Sequence, residues 1–150
     1  MIVLDASAGI AALLRAGTAR ATMAVESLHA PHLIDAEVAN VLRRKVLAGE
    51  IAPAAGWASL DAGRHLGLRR YPLLGGLQRV WELRGTVGAC DACYVALAEM
   101  LDCPLITADA RLARAPGIRC AVTVVPAHPP SSARPPASDS HRPGGAPTGG

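Results

Sequence analysis

Short, nearly unbroken apolar runs alternate along this chain with longer stretches in which apolar residues recur every three or four positions. The runs Ile2-Val3-Leu4, Ala30 to Leu33, Pro104 to Thr107 and Ala121 to Val125, together with the mixed stretch Leu68 to Tyr71, predict short strands. Helical spacing occupies Ser7 to Arg15, stopped by Gly17, and a second segment from a Thr18 cap to about Leu28. It returns over Asp35 to Leu47, ended by Gly49, and from Pro53, at home in a first helical turn, to His65. Leu73 to Leu83 also reads as helical, with Gly75 and Gly76 loosening its start and Gly85 breaking its end. Ala89 to Leu101 is a strongly apolar helix, and Ala110 to Ala115 a short one. Strands that alternate with helices predict an α/β sandwich around a mainly parallel sheet. A strand as apolar as Ile2-Val3-Leu4 fits burial on both faces.

Composition draws the domain boundary. About half of the 150 residues are apolar, enough for one packed core, yet residues 126–150 hold seven of the twelve prolines and almost nothing to bury. Such a segment does not offset its ordering entropy, so we expect a folded domain over 1–125 and a disordered tail over 126–150. No apolar run is long enough to span a membrane, and the apolar start ends at Asp5 too soon for a signal peptide, so the expected location is cytoplasmic. There is no Phe and only two Trp and two Tyr, which leaves little for a base-stacking platform; binding of nucleic acid would rest on charge and metal. The net charge of +3 adds little, and the basic clusters Arg43-Arg44-Lys45, Arg69-Arg70 and Arg111/Arg114/Arg119 read equally well as solvated faces. Cys90 and Cys93 form a CxxC with no second pair, inside an apolar helix; together with Cys103 and Cys120 they are expected to be buried free thiols.

The acids carry the chemistry. Asp5 directly follows the first strand and Asp109 closes Thr107-Ala108-Asp109 after the fourth, so two carboxylates leave parallel strands at the same sheet edge, where sites form in open α/β sheets. Glu37 and Asp91 lie in the first turns of their helices. Taken singly, each acid is explained as well by capping or by the helix dipole. Asp91 suits that explanation least, because it opens a helix buried over most of its surface. If the four converge, their repulsion demands a cation, and all-oxygen ligands select Mg²⁺ or Mn²⁺ over zinc. The five His residues form no HxH or HxxxH pair, which agrees.

Five stretches together resemble the PIN-domain endoribonucleases of the VapC toxin type: Met1 to Ser7, Pro31 to Arg44, Val80 to Arg84, Asp91 to Glu99 and Leu105 to Leu112. The resemblance covers about residues 1–125. It implies a three-layer sandwich with strand order 3-2-1-4-5. It also implies that Asp5, Glu37, Asp91 and Asp109 are the acidic quartet that holds Mg²⁺ or Mn²⁺, with Ser7, Asn40 and Thr107 as polar supporters. Arg84 and Arg111 are candidate phosphate contacts, and Asn40 and Arg84 are equally readable as surface residues. Members usually act as toxins held by a cognate VapB-like antitoxin, whose tail places a basic residue among the carboxylates, and they commonly form homodimers. The chain departs from the family at Thr86 to Cys90: related toxins often carry a polar residue and a Tyr just before the aspartate, where Gly88 and Cys90 stand here.

The function expected on these grounds is metal-dependent hydrolysis of RNA by in-line attack at phosphorus, leaving a 5′-phosphate and a 3′-hydroxyl. The rival is a catalytically weak PIN-type module that binds RNA or a partner protein. A phospho-acceptor domain is disfavoured: Asp5-Ala6-Ser7 lacks a paired acidic dipeptide, and the sole lysine, Lys45, lies in a helix.

Overall fold

A computed structural model describes residues 1–14 and 24–126. The helix expected over Thr18–Leu28 falls largely, and the tail expected over 126–150 almost wholly, outside the described residues. Five parallel strands form one sheet in the order β3-β2-β1-β4-β5: β1 (Ile2–Leu4), β2 (Leu28–Pro31), β3 (Leu68–Tyr71), β4 (Leu105–Thr107) and β5 (Val122–Val124). The helices are α1 (Ala6–Leu14), α2 (Ile34–Leu47), α3 (Pro53–Arg64), α4 (Leu77–Glu82) and α5 (Ala89–Met100).

The central strands are short but wholly buried, and their alternation serves two cores. Val3 and Leu105 face Tyr94, Val95 and Ala98 of α5, while Ile2, Leu4 and Ile106 pack with Ala8 and Ala12 of α1. The sheet thus lies between helical layers, as a parallel sheet must to shield both faces. The register Val3↔Leu105 and Leu4↔Ile106 brings the carboxyl ends of β1 and β4 side by side.

Three elements differ from the sequence expectation. β2 covers Leu28–Pro31, two residues before the extended piece read at Ala30–Leu33, and His32 and Leu33 form the turn into α2. His29 masks the strand in the sequence: it is buried because its Nδ1 shares a hydrogen bond with the Tyr71 hydroxyl on β3 at 2.7 Å. The helix read over Leu73–Leu83 is only α4, with 3₁₀ turns at Leu74–Gly76 and Leu83–Gly85, where glycines weaken α-helical continuation. Leu112–Arg114 is likewise a single 3₁₀ turn inside the expected short helix. The four cysteines are free, but Cys90 is exposed and Cys120 only half-buried; α5 enters the core at Ala92, two residues beyond Cys90.

One ion pair ties the far side of the sandwich. Arg79 of α4 grips Glu99 of α5 with two nitrogens (2.6 and 3.0 Å) and donates to the Gly117 carbonyl, while Glu99 also accepts the Arg119 amide. Burial pushes the Glu99 carboxyl up, and the Arg79 and Arg119 contacts more than offset this, leaving it below its ordinary value.

Candidate active site

Asp5 is the first residue beyond β1 and is 6% exposed. Burying a carboxylate demands donors, and the two neighbouring hydroxyls supply them. Ser7 Oγ and Thr107 Oγ1 each donate to Asp5 Oδ2 at 2.6 Å. Each hydroxyl then accepts a backbone amide from the β4 exit, Ala108 N–H on Ser7 (2.9 Å) and Asp109 N–H on Thr107 (3.0 Å). The ends of β1 and β4 are therefore joined by a closed polar network in which every proton has a destination.

Glu37 projects from the first turn of α2 and accepts a 2.5 Å hydrogen bond from the Tyr94 hydroxyl on α5. Tyr94 is 1% exposed, and its phenol is pushed up by burial and by the Glu37 carboxylate, so it stays a donor. A buried Tyr needs a partner for its hydroxyl, and Tyr94 is three residues beyond Asp91 on the same face of the helix. That spacing was the one signal in the sequence for this residue, which was not singled out there.

Asp91 enters from the first turn of α5, half-buried, and no donor among the described residues reaches its carboxylate. Burial raises its pKa, the charges of Asp5, Asp109 and Glu37 raise it further, and Arg111 alone opposes them. Gly88 leaves its flank open: a Cβ there would sit at 3.6 Å from Asp91 Oδ2, an ordinary contact distance. Although Cys90 is exposed as a residue, partial desolvation of its thiol and then the Glu37 carboxylate push that thiol up, so this departure from the family pattern also stands beside the acids.

Asp109 is held differently. Arg111 donates to both of its oxygens (2.6 to 3.0 Å), and these bonds keep the Asp109 carboxyl below its ordinary range.

The four acids line one groove of about 530 Å³, with Ser7 and Asn40. Thr107 lies fully buried beneath it. Arg84 is placed elsewhere, with its guanidinium 4.9 Å from the Trp81 ring and bonded to the Trp81 carbonyl. Among the described residues no three of the acids are drawn into a closed ligand cage. Asp5, Glu37 and Asp109 are instead each satisfied within the chain, by hydroxyls, a phenol and a guanidinium. The donor set nevertheless fits a hard cation: it is all oxygen, and the partnerless Asp91 carboxylate sits in a field of three like charges.

A PIN-domain model matches residues 2–118, and the chain belongs to the PIN-domain family. Within that family it is VapC-like: it is 49% identical over 126 residues to ribonuclease VapC9 of Mycobacterium tuberculosis, covering 84% of this chain and 99% of the relative. Solved structures share the fold. VapC20 of M. tuberculosis, described as a sarcin-ricin loop cleaving toxin, matches with a TM-score of 0.60 at 18% identity, over 79% of this chain and 97% of that one. VapBC2 of Rickettsia felis, bound to a promoter DNA fragment, matches with a TM-score of 0.62 at 14% identity, over 83% and 98%.

Proposed function

We propose that this protein is an endoribonuclease of the VapC type that uses Mg²⁺ or Mn²⁺, acts as the toxin of a toxin–antitoxin pair in the cytoplasm, and is built as a nuclease domain over 1–125 with a separate tail. The observation that carries the reading is the half-buried Asp91, whose carboxylate meets no donor among the described residues, set among Asp5, Glu37 and Asp109 in one open groove. Four acids in a groove repel an RNA backbone, so the arrangement makes sense for RNA only with a cation between them. A divalent ion supplies that charge compensation and the means to activate water against a phosphodiester. Asp5, Asp91 and Asp109 are the expected ligands, and Glu37 a ligand or the group that orients the water. Ser7 and Thr107 fix the Asp5 carboxylate, Tyr94 fixes Glu37, and Asn40 offers a neutral amide at the groove wall. Arg111, 87% exposed, is free to swing from Asp109 to a substrate phosphate. The 49% identity to ribonuclease VapC9 supports the reaction class. Exposed apolar side chains such as Trp57, Leu47 and Trp81 support protein partners, a VapB-like antitoxin and a second copy of the chain.

The test is cleavage of RNA by the purified protein with Mg²⁺ or Mn²⁺, set against EDTA and against Asp5→Asn. Loss of cleavage in both arms is expected. Undiminished activity in either removes the mechanism, and cation binding with no cleavage at all favours a binding module.

A further inference from the structure

The groove does not end at the acids. Glu37, Asn40, Val41 and Arg44 follow one another on α2 at the spacing of a single helical face, and all four line it. From Glu37 to Arg44 the helix rises roughly 10 Å. Opposite this stripe, Ile10, Ala11 and Leu14 of α1 face the same space. The groove is therefore polarised, with carboxylates at one end, an apolar floor in the middle, and cationic side chains at the other end.

Of the three basic residues near that end, two are already engaged. Arg43 donates to the Asn40 side chain at 3.3 Å, and Lys45 bonds Glu50 at 2.5 Å. Arg44 makes no ion pair among the described residues and is exposed. Its place in the last turn of α2 suits the helix dipole. That accounts for a basic residue there, but not for its position on the face that carries Glu37 and Asn40.

Resting on the ribonuclease reading above, we infer that Arg44 forms an anion subsite for a phosphate of the RNA strand neighbouring the one at the acids. The sugar and base between the two phosphates lie over the apolar floor. A planar guanidinium suits bidentate contact with phosphate oxygens. The chain has few aromatic rings for stacking, so one well-placed cation weighs heavily in positioning the strand.

The experiment compares Arg44→Ala, Arg44→Lys and the distant charge control Arg64→Ala with wild type, each checked for folding by circular dichroism. The substrate is a single-stranded RNA oligonucleotide spanning a site that wild type cuts, and a series trimmed from either end. Arg44→Ala is expected to raise KM about tenfold with kcat little changed, and to flatten the log–log salt dependence of binding by about 0.7. Arg44→Lys restores part of the loss, and Arg64→Ala leaves KM alone. The penalty disappears on the trimmed RNA that lacks the neighbouring phosphate. An Arg44→Ala enzyme with unchanged KM and salt slope overturns the subsite, as does an equal loss in Arg64→Ala. If wild type cuts no RNA, the ribonuclease reading fails by itself, and fluorescence anisotropy with a labelled mixed-sequence single-stranded RNA decides the subsite: weaker binding by Arg44→Ala than by Arg64→Ala keeps it, and equal binding removes it.

Discussion

Thr107 offers the sharpest check on how the groove is held together. It is fully buried, donates to Asp5 Oδ2 at 2.6 Å and accepts the Asp109 amide at 3.0 Å. Thr107→Val keeps the branched shape and removes only the hydroxyl function. The lost bond to a carboxylate costs about 1.5–3 kcal/mol, and an amide left without an acceptor about 1–3 kcal/mol. Asp109 is half-exposed and water can take over part of its amide's bonding, and Ser7 still serves Asp5. The net expectation is therefore about 2–4 kcal/mol. Thr107→Ser does the opposite, keeping both bonds and losing one buried methyl, for about 1 kcal/mol. Urea unfolding followed by circular dichroism, at neutral pH in chelator, measures both. The Val variant should have the lower midpoint with an unchanged slope. Its RNA cleavage should fall at least about tenfold as Asp5 loosens, while the Ser variant stays within a few-fold of wild type. A Val variant as stable as wild type, or less damaging than Ser, would falsify the assignment of this network as the brace of the site.

Three more outcomes follow from the same geometry. Asp91→Asn should raise the melting temperature of the metal-free protein, since it removes a charge that the fold holds at a cost. Because the folded pKa of Asp91 is raised, the native state binds the extra proton. The wild-type stability should then fall as pH climbs above the ordinary Asp range near 4, and this part of the slope should be missing in the variant. Adding Mn²⁺ should stabilise wild type and have a much smaller effect on Asp91→Asn; equal stabilisation of the two in differential scanning calorimetry would count against Asp91 as a ligand. Arg79→Ala, which strands a mostly buried Glu99, should cost about 3 kcal/mol. As the Glu99 pKa is lowered, the stability its pair contributes is present above the ordinary Glu value and lost as pH falls through the folded one. An acid melt of Arg79→Ala parallel to wild type would contradict that account. Tyr94→Phe should lower kcat more than it raises KM, because it releases Glu37 without touching the groove wall where RNA lies, and a pure KM effect in steady-state cleavage would refute it.

Strand ends were the most legible part of the molecule. Asp5 and Asp109 each follow an apolar run, and parallel pairing of those runs suffices to bring them together. Glu37 and Asp91 are different. Which helix ends meet over a sheet depends on crossover lengths and packing, which no local pattern records, so the resemblance to VapC-type proteins was needed to join them to the pair. Tyr94 passed as one more core residue because apolar burial and hydrogen bonding to Glu37 leave the same trace in sequence. β2 was misplaced by two residues because buried His29 looks polar until Tyr71, some forty positions later, is seen to satisfy it. Cys90 was expected inside because its neighbours are apolar, although the first turn of a helix often still lies outside the core it enters.

The braces between β1 and β4 join residues a hundred positions apart. A chain made from its amino end completes Asp5, Ser7 and Glu37 well before Thr107 and Asp109 are added. At about 5–20 residues per second, the early acids wait for seconds without the strand that positions them. The groove is therefore closed only by contacts between distant parts of the sequence, the kind of non-local pairing that slows folding.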